Sequence, residues 1–339
     1  MTRRLSLAVA LAAVTFVTFL SFAISTTTAP LSSMSPIPGT GTLGAAPSDT
    51  FSFIVAGDNR PASAADSQPK TPKHIFDSAA ARHVAFVVWT GDMIYGLDST
   101  NPSALAAQYK GFFKLAKRAT VPVFAAPGNH EMDVKHKLGD TTIEVGNATM
   151  QQYYRKAFAL ADSTPIYGTF TYGNSRFILL NSEEIPAPSV SRAAFATASA
   201  TVKLDPGYVS AQQLAWLGQV LDSNTSLHTF VFMHHPLHAL KADMALDTAS
   251  AAKVLALLGK HANISYVLAS HEHLYYNVQT RDTTSPPGRT DPSTSPPYYL
   301  ISGGAGAKLT GKPKDGGFHN YLTFTVRGTQ VQATLNRLP

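Results

Sequence analysis

Apolar runs punctuate this chain, and several of them stop abruptly. Phe51–Ala56, Val84–Trp89, Val121–Ala126, Thr229–Met233 and Ile264–Ala269 are each followed at once by polar or glycine residues. An apolar run of this length that ends on a turn signal reads as a buried strand stopping at a sheet edge. Between such runs, residues 71–82, 103–118, 149–160, 210–222 and 246–260 read as helical. Strands separated by helices predict an α/β fold with βαβ units. The later chain changes rhythm. Tyr167–Thr171 with Arg176–Asn181, then 274–279, 298–302, 320–326 and 329–335, look like consecutive strands and are expected to pair antiparallel. The whole pattern predicts two mixed β-sheets packed face to face with helices outside. Two stretches read as inserted loops. Residues 185–209 are rich in Pro, Ala and Ser, and the Pro-Pro pairs within 281–297 exclude a central strand there.

The residues at the ends of the five apolar runs are unusual. They are Gly57-Asp58-Asn59-Arg60, Gly91-Asp92-Met93-Ile94-Tyr95, Gly128-Asn129-His130-Glu131, His234-His235-Pro236 and His271-Glu272-His273. Ligands of open α/β sheets bind beyond the carboxyl ends of the strands, so these clusters are expected to meet. A carboxylate placed there needs a partner, because burying an unpaired charge is costly. Asp58 and Asp92 therefore point to a cation, and Asp92, with two oxygens, suits a bridge between two. Asn129 and His130 are adjacent and cannot easily serve the same ion, so one binds metal and the other has a different task. His271 and His273 lie two apart and face one side of an extended segment. His234 follows its strand directly, whereas His235 is expected to point elsewhere. Oxygen and imidazole donors without thiolate suit Zn, Mn or Fe. His238 and His319 are expected near the cleft without binding metal. Gly303-Gly304-Ala305-Gly306 follows a strand and reads either as a simple turn or as a loop that lets backbone approach the site closely.

Composition narrows the field. There are 339 residues, 44% hydrophobic and 14% charged, so a sizeable core is expected and global disorder is not. The absence of cysteine excludes disulfides, thiolate ligands, a Cys nucleophile and an N-terminal lipidated Cys. The formal charge is +6, but the basic residues are dispersed apart from a small group at Lys308, Lys312 and Lys314. No basic run argues for nucleic acid or for a membrane surface. At the start, Arg3 and Arg4 precede the uncharged stretch Leu5–Ile24, and small residues follow to Ala29. This is the plan of a secretory signal over 1–29, with an uncleaved anchor as the other reading. Residues 30–49 then read as a flexible linker, 50–339 as the catalytic domain, and the location as exported, periplasmic or extracellular.

The order Gly-Asp, Gly-Asp, Gly-Asn-His-Glu, His-His-Pro, His-x-His resembles the calcineurin-like metallophosphoesterase superfamily. Within it, Gly91-Asp92-Met93-Ile94-Tyr95 and the Tyr275 that follows the His-x-His block resemble purple acid phosphatases. The resemblance covers roughly residues 51–335 and implies a four-layer sandwich with a dinuclear metal centre. It implies one metal on Asp58, Asp92, Tyr95 and His273, and a second on Asp92, Asn129, His234 and His271. It implies His130 as the catalytic acid or transition-state stabiliser. It also implies two divalent or trivalent ions, iron with zinc, manganese or iron. The expected activity is an exported phosphomonoesterase using metal-bound hydroxide for in-line attack on a small phosphate ester, with no need of nucleic acid. The alternatives are a phosphodiesterase for cyclic nucleotides or glycerophosphodiesters, and a non-catalytic phosphate-binding protein. Arg60 stands where many superfamily members have His and purple acid phosphatases have Gly. It stays charged and cannot ligate metal, so it either binds a substrate oxygen or pairs with an acid outside the site. Tyr95 is either an iron ligand or a packed aromatic beside the site.

Overall fold

The computed structural model describes residues 33–46, 49–96, 101–138, 141–186, 207–285, 289–290 and 297–339. The expected signal over 1–29, most of the 185–209 loop and most of the Pro-Pro positions lie outside the described residues. No described helix is long and apolar enough to cross a membrane.

Two six-stranded sheets form the body. The strands are β1 (Thr50–Ala56), β2 (Val87–Trp89), β3 (Val123–Ala125), β4 (Asp133–Leu138), β5 (Thr141–Gly146), β6 (Gly168–Tyr172) and β7 (Ser175–Leu179). They continue as β8 (His228–Phe232), β9 (Ile264–Ala269), β10 (Tyr275–Asn277), β11 (Arg289–Thr290), β12 (Tyr298–Ser302), β13 (Asn320–Arg327) and β14 (Gln330–Arg337). One sheet runs β11-β14-β13-β1-β2-β3 and the other β10-β12-β9-β8-β7-β6. The helices Lys70–Ala81, Pro102–Ala116 and Ala148–Ala157 contribute to the core on the outer face of the first sheet. Ala211–Asp222 and Thr248–Leu258 do so for the second. The expected helical segments are thus all present. Their starts are fixed by side chains that take up orphan N–H groups: Asn101 accepts from Ser103 and Ala104, and Asp247 from Ala249 and Ser250.

Strand alternation explains the layering. Along β1, Phe51, Phe53 and Val55 point between the sheets, while Ile54 and Ala56 point at the helices. The space between the sheets is filled largely by phenylalanine. Phe53 of the first sheet lies edge-on to Phe230 and Phe177 of the second at 5.0 and 5.2 Å, and Phe324 of the first lies edge-on to Phe230 at 5.8 Å. These contacts clamp the two sheets together, and so fix the strand ends of one relative to those of the other.

Three expectations need correction or completion. The late strands do not all pair with their sequence neighbours. β12 runs parallel to β9, and β13 and β14 cross to the first sheet, where β13 lies antiparallel to β1. Local alternation shows that a segment is a strand, but the partner is set by which inward face it completes. For β13 that face is Leu322, Phe324 and Val326, buried with Phe53 and Val55. The hairpin β4–β5 follows the Gly-Asn-His-Glu turn and was not expected, because its sequence is mostly polar and charged. Finally, part of the expected linker is docked. The Met34 N–H donates to Thr169 O at 3.1 Å, the Ile37 N–H to Val123 O at 2.7 Å, and Ile37 is fully buried. This strap ties β6 to β3, the adjacent edges of the two sheets. Its Pro- and Gly-rich composition hides these apolar anchors, Ile37 with the partly buried Met34 and Leu43.

Candidate metal centre

The parallel strands β1, β2, β3, β8 and β9 all end at one place, and the polar clusters follow them. Backbone bonds stitch the ends together. The Asp58 N–H donates to Gly91 O at 3.1 Å, Asn59 N–H to Asp92 O at 3.1 Å, and Ser270 N–H to His234 O at 3.0 Å. Asp58, Asp92 and His271 all adopt the left-handed conformation, with φ of 63°, 56° and 68°. Non-glycine residues rarely sit there, and such strain clusters where the surrounding structure must aim a functional side chain. Gly303 shows how tightly the Asp58 carboxylate is enclosed: a Cβ at that position would lie 2.2 Å from Asp58 Oδ2. Of the two readings of the Gly-rich loop, close backbone approach is the one observed.

The candidate donor atoms converge in two overlapping groups. Asp58, Asp92 and His273 each offer a donor atom within 4.8 Å of the others, and all three are buried. The second group surrounds His234 Nε2. Asn129 Oδ1 lies 3.0 Å from it, Asp92 Oδ1 3.3 Å and His271 Nδ1 3.1 Å. Asp92 belongs to both groups, as a bridge requires. Asp58 has both carboxylate oxygens buried without a hydrogen-bond partner of good geometry. Burial and the charge of Asp92 push its carboxyl well above the usual range, against weaker relief from Arg60 and the nearby His271 N–H. Burial pushes Asp92 upward too. There His130, His234 and Arg60 more than reverse it, and its carboxyl lies below the usual range. One orphaned carboxylate beside a second is a poor arrangement for a metal-free interior and a good one for cations. The donor set therefore fits the dinuclear centre that the fold family implies.

The imidazoles are oriented from behind. His273 Nδ1 donates to Lys308 O at 2.7 Å and His234 Nδ1 to Thr90 O at 2.8 Å. A carbonyl only accepts, so each Nδ1 carries a proton, and Nε2 is the nitrogen that the neutral ring would offer a metal. His234 Nε2 faces the oxygens of Asn129 and Asp92, and a cation between them would take all three as donors. Asn129 is fixed the same way. Its Nδ2 donates to Glu144 Oε2 at 2.8 Å, so its Oδ1 must face the site.

His130 does not join either group. Its Nδ1 bonds the Tyr95 carbonyl, and its Nε2 lies 3.8 Å from Asp92 Oδ2. Burial, assisted by Arg60, lowers its pKa to about 3 in spite of the Asp92 charge. The Tyr95 ring lies 6.1 Å from the His130 ring. Arg60 is partly exposed, and its Nε is 3.7 Å from Asp92 Oδ2. His235 is buried, pairs with Glu183 at 2.7 Å and packs on the His271 ring at 3.9 Å, behind the donor groups and not among them. His238 packs edge-on to Tyr299 and His319 bonds Gly304 O at 3.1 Å. Neither is among the residues that line the cleft.

Three glutamates were given no role by the sequence. Glu131 is buried and accepts the N–H groups of Asp92, Met93, Ile94 and Gly128 at 2.7–3.0 Å, which fastens the second cluster to the third. Glu144 orients Asn129. Glu272 accepts from the N–H groups of Leu240 and Lys241 at 2.7 and 2.8 Å, and so ties the His-x-His turn to the loop after His235. Only Glu131 carried a signal, its fixed place behind Gly-Asn-His.

Above the donors opens a cleft of about 580 Å³, walled by Asp92, Asn129, His130, His271 and His273 and rimmed by Arg60, Lys135 and Lys308. Residues 51–275 match the model of the calcineurin-like phosphoesterase family. The fold is similar to a dimetal phosphatase from Danio rerio at 17% identity, covering 85% of this chain and 96% of that one, with a TM-score of 0.56. It is similar also to a purple acid phosphatase from yellow lupin (Lupinus luteus) seeds at 16% identity, covering 84% of this chain and 50% of that one, with a TM-score of 0.56. No curated protein matches the sequence. The chain therefore belongs to the calcineurin-like phosphoesterase family and is a metal-dependent hydrolase of phosphoric esters.

Proposed function

We propose that this hydrolase acts on phosphate monoesters. The observation that carries the reading is the trio of cationic side chains, Arg60, Lys135 and Lys308, at the rim of the cleft beside Asp92. A monoester presents a dianion and a diester a monoanion, so three cations above a metal site favour the former. Asp58, Asp92 and His273 would hold one ion and Asp92, Asn129, His234 and His271 the other, with Tyr95 completing the first set. Iron with zinc, manganese or a second iron suits these donors. When bound, the pair supplies Lewis acidity toward the phosphate and lowers the pKa of water. The chain's own residues do the rest. Arg60, Lys135 and Lys308 draw in the phosphate oxygens and turn the ester bond outward. His130, held by the Tyr95 carbonyl, presents Nε2 to the cleft, and the ring, protonated beside the bound phosphate dianion, would donate from there to the leaving oxygen. The Arg3-Arg4 start and the apolar stretch Leu5–Ile24 support an exported enzyme.

The test is a panel of aryl phosphate, bis-aryl phosphate and nucleotide substrates on metal-loaded protein. Higher kcat/KM on the monoester is expected, and a diester preference would contradict the reading. His130→Ala is expected to lower kcat by ~10²–10⁴-fold with metal content retained. Loss of both metals in that variant would remove His130 from this role.

A further inference from the structure

A second hollow shares no lining residue with the catalytic cleft. It lies between the helices Pro102–Ala116 and Ala148–Ala157, beside Pro38 of the docked strap, and has a volume of about 610 Å³. That is within the range of small-ligand sites, roughly 300–1,000 Å³. Its aromatic surface comes from Tyr109, Phe113 and Tyr153, which belong to or pack against the core beneath these helices. Phe113 lies edge-on to Phe158 at 5.2 Å, so the apolar surface rests on packed core.

The rim is made of lysine. Lys110, Lys114 and Lys117 follow one another at spacings of four and three along one helix and its exit, and Lys156 comes from the facing helix. Like charges at such spacings repel and weaken the helix. Elsewhere this chain gives neighbouring cations an acid: Lys73 and Arg118 share Asp77 at 2.8 and 2.6 Å. Among the described residues no carboxylate lines the hollow and none of the four lysines forms an ion pair. An anion would relieve the repulsion. A bare inorganic anion would leave the aromatic surface in water, and a neutral apolar ligand would leave the lysines unpaired. Lysine stems add apolar surface beside their charged ends, which suits a ligand with a charged head and an apolar body.

We infer that this hollow binds an anionic amphiphile, with a single apolar chain on Tyr109, Phe113 and Tyr153 and a carboxylate-type head among Lys110, Lys114, Lys117 and Lys156. The inference does not depend on which ester the catalytic cleft hydrolyses.

The test is calorimetric titration of the metal-loaded full chain with laurate below its micelle concentration. Dodecyltrimethylammonium and dodecyl maltoside serve as cationic and neutral probes with a tail of closely similar length, and acetate as a head without one. One saturable laurate per chain is expected, with the other three at least ten-fold weaker. Lys110→Glu combined with Lys114→Glu is expected to weaken laurate at least ten-fold. Lys156→Glu, from the other helix, should weaken it in the same direction. Hydrolysis of an aryl phosphate should not change in either variant. Absence of saturable laurate binding would overturn the inference, and so would equal binding of the neutral probe or full affinity in both variants. Binding to anionic vesicles without binding of monomeric laurate would also overturn it, in favour of a flat surface contact.

Discussion

Glu144 decides which end of the Asn129 side chain faces the metal site. A carboxylate can only accept, so the Asn129 amide must turn its nitrogen to Glu144 and its oxygen to His234 Nε2. Glu144→Gln removes that constraint, since an amide can either donate or accept, while it hardly changes volume. Metal affinity at the site shared by Asn129, His234 and His271 is expected to fall about 10–100-fold, measured by competition with a chelating dye. Unchanged affinity would show that Asn129 needs no such orientation. The two aspartates were legible in the sequence because each follows a glycine at the end of an apolar run. Glu144 was not legible, because it belongs to a polar hairpin and meets Asn129 only through the fold. Arg60 was legible only as an anomaly. Its distance of 3.7 Å from Asp92 places it at the site, so of its two readings the pairing with an acid elsewhere is not the one observed.

At the scale of elements, the site depends on two kinds of fastening. The first is the phenylalanine layer between the sheets, which carries β1, β2 and β3 against β7, β8 and β9. Phe53→Ala would open a cavity in that layer and is expected to destabilise the protein by about 3–5 kcal/mol in urea unfolding. The second is the buried clasp formed by Glu131 on four N–H groups of two neighbouring turns. Glu131→Ala leaves buried donors without acceptors, each worth roughly 1–3 kcal/mol, and also frees the turn that carries Asp92. It is therefore expected to lower stability and metal affinity together, whereas Phe53→Ala chiefly lowers stability. A Glu131→Ala protein with full metal affinity would show that the clasp does not position Asp92. Helices and parallel strands were readable because apolar runs and their spacing are local. The hairpin β4–β5, the crossing of β13 and β14 and the docking of Ile37 were not, because each is decided by a distant partner.

At the scale of the molecule, two sheets bring five strand ends together, and the convergence creates a charge problem that cations solve. Asp58 is buried beside a second carboxylate without a hydrogen-bond partner of good geometry, so the metal-free fold is expected to carry a penalty that loading removes. Metal binding to the folded state alone should stabilise by about 2.7 kcal/mol when free metal is 100 times its Kd. The Tm of the loaded protein is expected to fall on prolonged chelation and to recover on adding metal back, as followed by scanning calorimetry. A Tm indifferent to chelation would mean that the carboxylates are accommodated in some other way. The order of the five clusters already gave this convergence, since the chemistry sits where parallel strands stop.

The most direct measurement is a titration of metal-free protein with metal while the rate on an aryl phosphate is followed. Two ions sharing Asp92 predict that the rate reaches its plateau at two metal equivalents per chain, and that Asp92→Asn abolishes both the plateau and tight binding of the pair. A plateau at one equivalent, or hydrolysis that persists in the metal-free protein, would contradict a dinuclear site built from these strand ends.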